Sequence, residues 1–204
     1  HTRSVSAFLL NRSSDLLVVY GGGNMSLVGE ERVVNINGGL VKVNVFGGSK
    51  AIPEGRVQLG MKTVNMRGGR VMGNVYGCNS NSMDGDVDHP LDWTSFVNIN
   101  GGLIDGSVFG AGYSCKVNGS VCVNIGKDAI LKAPNNAYNL YYTDCGGDEP
   151  QYNPEGIVPT VAKLVIGNSV YGGSDYYGNN SNTNTWTDFI VSGYSNIYID
   201  GTGY

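Results

Sequence analysis

Three stretches of the chain read almost alike: VNINGGLVKVNVFGG at 34–48, VNMRGGRVMGNVYGC at 64–78 and VNINGGLIDGSVFGA at 97–111. They begin 30 and then 33 residues apart, a period that belongs to stacked structural repeats rather than to one closed catalytic domain. Partial copies lie outside them. Val19-Tyr20-Gly21-Gly22 and Val170-Tyr171-Gly172-Gly173 match the second half of the motif, and Ile197-Tyr198-Ile199-Asp200-Gly201 reopens the first half.

Inside each repeat, apolar and polar residues alternate: Val34 and Ile36, Val64 and Met66, Val97 and Ile99, then Val121, Val123 and Ile125. A period of two predicts short strands with one face inward. Double glycines at 38–39, 68–69 and 101–102 predict a sharp turn after each first strand. A second strand is expected at 40–46, 70–76 and 103–109, and a third, less regular one at 56–59 and 117–125. The composition agrees, with 32 Gly and 23 Asn among 204 residues, both tolerant of tight-turn backbone. The expected fold is therefore all-β: a parallel β-solenoid (β-helix) of short strands with Gly/Asn turns and inserted loops. Residues 1–18 read as a cap or intersubunit-pairing segment. Residues 19–204 read as the repeat domain, with a long loop insertion at 127–159.

Stacking predicts columns of like residues. Tyr20, Phe46, Tyr76, Phe109 and Tyr171 share one repeat position and would form an aromatic ladder. Asn35, Asn65 and Asn98 share another. Their amides either bond along the stack or sit solvated on the outer face. Four cysteines admit two pairs, Cys115 with Cys122 and Cys78 with Cys145, or serve as buried free thiols. No CxxC occurs and the two histidines are His1 and His89, so zinc spacing is absent.

Function classes narrow by exclusion. A net charge of −4 and a pI near 5.0, without a basic cluster, exclude a nucleic-acid groove. No apolar run reaches the roughly 20 residues of a membrane-spanning helix. Asp84, Asp86 and Asp88 open like a calcium loop, but His89 and Ser95 stand where Gly and Glu belong; a looser oxygen-ligand site remains a candidate. Asp105, Asp144, Asp148, Glu149 and Asp175 are the carboxylates a polysaccharide-cleaving enzyme would draw on, and none has an evident partner. Tyr138, Tyr141, Tyr142, Tyr152, Tyr176, Tyr177 and Trp186 supply either an aromatic platform for glycan or protein contact or a cover for the core.

At 34–48, 64–78, 97–111 and 165–173 the chain resembles the glycine-rich repeats of large adhesin-like bacterial surface proteins. The resemblance implies an exported stalk, adhesin or filament component at the cell surface, with no catalytic residue to carry over. The departures are Val43 and Arg67, Cys78 and Ala111 in place of glycine, and the insertion. The expected function is thus an extracellular structural or adhesive repeat protein, without catalysis, cofactor or metal. Its partners are other copies head to tail, or neighbouring repeats of a longer chain, with a glycan or host surface ligand as a further partner. Val5, Phe8, Leu9 and Leu10 at one end, and Ile197, Tyr198, Ile199 and Tyr204 at the other, are the candidate intersubunit residues. The rivals are a carbohydrate-active enzyme and a glycan-binding module.

Overall fold

The computed structural model describes residues 3–7, 15–29, 31–52, 56, 58–84, 91–126, 164–175 and 191–199, with backbone alone at 3–7, 83, 91–92 and 164–165. Among these residues there are fifteen strands and no helix. Every strand pairing is parallel.

The first strands of successive repeats lie side by side. β1 (Arg3–Ala7), β3 (Arg32–Ile36), β6 (Lys62–Val71), β9 (Leu91–Ile104), β12 (Gly119–Ile125) and β15 (Ser195–Ile199) form the main path of an eight-stranded sheet. β4 (Leu40–Val41) joins it on β6 and β13 (Leu164–Ile166) on β9. Register is fixed by the repeat: Val5, Val34, Val64, Val97, Val123 and Ile197 fall in one column. A second, five-stranded sheet collects the Val-Tyr/Phe pairs in the order β14 (Val170–Tyr171), β10 (Val108–Phe109), β7 (Val75–Tyr76), β5 (Val45–Phe46), β2 (Val19–Tyr20). β8 (Met83–Asp84) and β11 (Lys116–Val117) make a two-stranded third sheet.

The alternation read from the sequence decides which side chains fill the core. Val34, Val64, Val97 and Val123, with Ile36, Met66, Ile99 and Ile125, are all buried and pack against Val45, Val75 and Val108 of the second sheet. The intervening Asn side chains are half-buried on the other face.

The expected solenoid of short strands is corrected here. The described residues form open parallel sheets that do not close, and β6 and β9 are ten and fourteen residues long. Both run straight through a double glycine that was expected to end them. The reason is local: Gly69 and Gly102 take φ of +83° and +94°, and the register shifts around Arg67. A bulge with a left-handed glycine bends a strand without ending its pairing. The third strands also differ. Gln58 makes only an isolated bridge to Asp84, and 119–125 does not close its own repeat but starts the next row, pairing with β9 through Asn124 on Asn98.

The rows approach closely where the motif places its first glycine after the aromatic. A Cβ on Gly21, Gly47 or Gly77 would lie 2.2 Å from the carbonyl oxygen of Gly47, Gly77 or Gly110 in the next row. Only glycine fits there, which is why this position recurs through the chain.

Candidate functional site

Two side-chain ladders run across the rows. Tyr20 stacks on Phe46 at 5.0 Å, Phe46 on Tyr76 at 4.7 Å, Tyr76 on Phe109 at 5.0 Å and Phe109 on Tyr171 at 4.9 Å. The rings are within 14° of parallel, because the inter-strand spacing of about 4.8 Å sets their separation. Phe46, Tyr76 and Phe109 are buried, while Tyr171 at the end of the stack is 47% exposed. Tyr113 meets Tyr76 edge-on. The Tyr76 hydroxyl accepts from Asn74 Nδ2 (2.8 Å) and donates to Asp175 Oδ2 (2.7 Å); burial foremost pushes its pKa up.

The second ladder is the chain of Asn amides. Asn65 Nδ2 donates to Asn35 Oδ1 (3.0 Å), Asn98 Nδ2 to Asn65 Oδ1 (2.9 Å) and Asn124 Nδ2 to Asn98 Oδ1 (2.8 Å). Arg67 Nη1 adds a bond to Asn35 Oδ1. Sequence reasoning missed Asn124, although Val123-Asn124-Ile125 repeats the Val-Asn-Ile triplet, because no double glycine follows it. A parallel device holds the second sheet. The backbone N–H of Asn74 donates to Asn44 Oδ1, that of Ser107 to Asn74 Oδ1, and that of Ser169 to Ser107 Oγ.

The interior also holds a charged cluster that the sequence reading did not foresee. Arg32 and Lys62 sit two residues before the inward valines, so the period of two sends both side chains into the core, where they are fully buried. Arg32 gives Nη1 to Val28 O (2.6 Å) and Nη2 to Leu59 O (2.7 Å) and Gly60 O (2.9 Å). Burial lowers its pKa, and Asp84 partly offsets that. Lys62 Nζ lies against Asp84 Oδ1, both side chains being 0% exposed. The contact lacks hydrogen-bond geometry, and Nζ has no hydrogen-bond partner among the described residues. Asp84 also accepts from Asn79, whose Nδ2 donates to Oδ1 (2.8 Å) and whose backbone N–H donates to Oδ2 (3.3 Å). Cys115 Sγ is 3.4 Å from Oδ2. Cys78 and Cys115 border the cluster and belong to a hydrophobic group with Ala111, Val117 and Val121.

The remaining candidate residues fall as follows. Asp84 points inward and is engaged by Lys62, so it does not serve a surface calcium site; Asp86 and Asp88 lie outside the described residues. Cys115 and Cys122 are not bridged. Cys115 faces the interior cluster, whereas Cys122 alternates with Val121 and Val123 and points to the opposite face, against Asn124. Cys78 is a buried free thiol and Cys145 lies outside the described residues. Burial, reinforced by Asp84, pushes the Cys78 and Cys115 thiols well up, which keeps them protonated and poorly nucleophilic. Asp105 is held by Arg70 Nε (3.0 Å) and Nη2 (2.7 Å), and Asp175 by Tyr76. Asp144, Asp148, Glu149, Tyr138, Tyr141, Tyr142, Tyr152, Tyr176, Tyr177 and Trp186 lie outside the described residues, as do Phe8, Leu9, Leu10 and Tyr204. Val5 sits in β1 opposite Val34. In β15, Ile197, Tyr198 and Ile199 are 41%, 58% and 54% exposed.

The fold and these ladders define an open, parallel, row-stacked β protein whose most regular features are structural. No family model, curated protein or solved structure matches the chain. No helix among the described residues is long and apolar enough to cross a membrane.

Proposed function

We propose that the protein is a structural and adhesive element of the cell surface, built to extend by adding rows, and that it works without catalysis. The observation that carries this reading is the pair of outer strands of the main sheet. β1 and β15 are the last strands of its path among the described residues, and each pairs on one side only. They occupy the same columns, so Ile197 of one copy meets the register of Val5 in the next. β15 also presents Ile197, Tyr198 and Ile199 largely uncovered. An open strand edge with apolar side chains is a template for further pairing. Head-to-tail pairing of unlike edges generates an open filament. The resemblance to adhesin-like repeats supports an exported location and, with it, a glycan or host surface as a further ligand.

Negative-stain electron microscopy over a concentration series tests the reading. Fibres with a constant axial repeat are expected, and they should be lost when Ile197→Pro removes one donor from the outward edge of β15, since the register leaves the N–H of Ser195, Ile197 and Ile199 facing away from β12. Isolated short particles at every concentration would overturn self-assembly.

A further inference from the structure

The buried Lys62–Asp84 pair does more than neutralise charge. Both side chains are fully buried, and the amine touches the carboxyl without making a hydrogen bond to it. An ion pair left in that state retains most of the desolvation cost of both ions without full compensation. The surroundings favour a different outcome. The buried thiols of Cys78 and Cys115 and the buried polar side chains of Arg32, Asn79 and Ser95 surround the pair, away from bulk water. Two N–H groups of Asn79 are aimed at the two carboxyl oxygens, where they polarise the carbonyl and stabilise an oxyanion. The amine and the carboxyl carbon are held as neighbours by β6 and β8, which converts a bimolecular condensation into an intramolecular one.

We infer that Lys62 and Asp84 condense spontaneously to an intramolecular amide that ties the start of β6 to β8. The bookkeeping closes without a co-reactant. The reacting forms are a neutral amine and a neutral acid, reached by moving one proton from Nζ to the carboxyl across their contact. The Nζ lone pair then attacks Cγ, forming the C–N bond and a tetrahedral intermediate whose oxygens accept from Asn79. One C–O bond breaks, the departing hydroxyl takes the proton released by nitrogen, and one water leaves. Nothing is oxidised or reduced. Two buried charges become one neutral amide, and the dry site disfavours the reverse hydrolysis.

The full chain is tested by intact mass spectrometry and by tryptic mapping under denaturing, reducing conditions. The expected result is a mass lower than the sequence by one water, no cleavage after Lys62, and a branched peptide joining Lys62 to Asp84. Asp84→Ala restores the sequence mass and the cleavage. A wild-type chain of full sequence mass that is cut normally after Lys62 overturns the inference, whether or not the variant folds. Asp84 precedes Gly85, so a cyclic imide at that bond would also lose one water. That product leaves Lys62 cleavable and unbranched, and finding it likewise overturns the proposal.

Discussion

Replacing Gly47 by alanine is the sharpest test of the row stacking. The new Cβ would sit 2.2 Å from Gly77 O and 3.1 Å from both Gly77 C and Val64 Cγ2. Reaching a tolerable 3.0 Å requires the two rows to part by about 0.8 Å at a backbone atom, which has no rotamer with which to yield. The same rows are joined there by Gly47 N–H to Tyr76 O (2.9 Å) and Gly48 N–H to Cys78 O (3.2 Å). Overpacking costs about 1–3 kcal/mol and loss of one such bond about 0.5–1.5 kcal/mol. The sum is roughly 2–4 kcal/mol, or about 1–2 M in urea midpoint at a slope near 2 kcal/mol/M. Gly38 is the control: a Cβ there meets nothing within 4 Å. Gly38→Ala should leave the midpoint unchanged or raise it slightly, by about 0.4–1 kcal/mol, through the unfolded chain. Coincident midpoints for the two variants would refute the close approach of the rows.

The ring stack and the thiols give two further tests. Phe46→Ala opens the stack between Tyr20 and Tyr76 and should cost about 3–5 kcal/mol, whereas Tyr76→Phe keeps the ring and should cost about 1–2 kcal/mol by stranding Asp175. Urea midpoints check the order, and an equal loss in both would show that ring packing is not the main term. Cys78 and Cys115 should resist iodoacetamide in the folded state and react on unfolding. Their folded pKa values are raised by burial, so stability is flat below the unfolded thiol value near 8.5 and falls above it, by about 1.4 kcal/mol per pH unit for each thiol. Cys115→Ala should therefore show a shallower decline between about pH 8.5 and 10 than the parent. The Tyr76 hydroxyl adds its own loss only above about pH 10. Identical slopes would refute the placement of Cys115.

Much of the architecture was legible because a repeat declares its own columns. Once Val34, Val64 and Val97 are aligned, parallel pairing places the aromatic and Asn residues in contact, and the alternation states which face is inward. The closed coil was not legible from the same pattern. Double glycine signals a bend, but whether pairing stops there depends on backbone contact with the next row, as at Gly69 against Gly38 and Gly39. Spacing alone could not separate a third strand from the first strand of the next row at 119–125. The cysteine pair failed on parity: one residue faces the interior and the other does not. The charged cluster did leave a signal. Arg32 and Lys62 stand in the inward phase of the alternation, and an inward charge demands a buried partner. What sequence could not supply was Asp84 as that partner, since it arrives from a different sheet.

That cluster also answers a problem the ladders create. Columns of identical residues stabilise adjacent rows but barely distinguish one row from another, so a strand displaced by a whole repeat would find Val opposite Val and Asn opposite Asn again. The interior polar groups break this degeneracy. In the place Lys62 holds in its row, the neighbouring rows carry Arg32 and Ser95. Among the described residues Arg32 gives its Nη atoms to Val28, Leu59 and Gly60, Lys62 lies against Asp84, and Ser49 N–H meets Asn79 Oδ1 at 2.7 Å. A slipped row would bury a cation against a hydroxyl or a second cation, at a cost of several kcal/mol that a homotypic column cannot offset. The ladders thus hold the rows together, and the unlike residues beneath them decide which row is next.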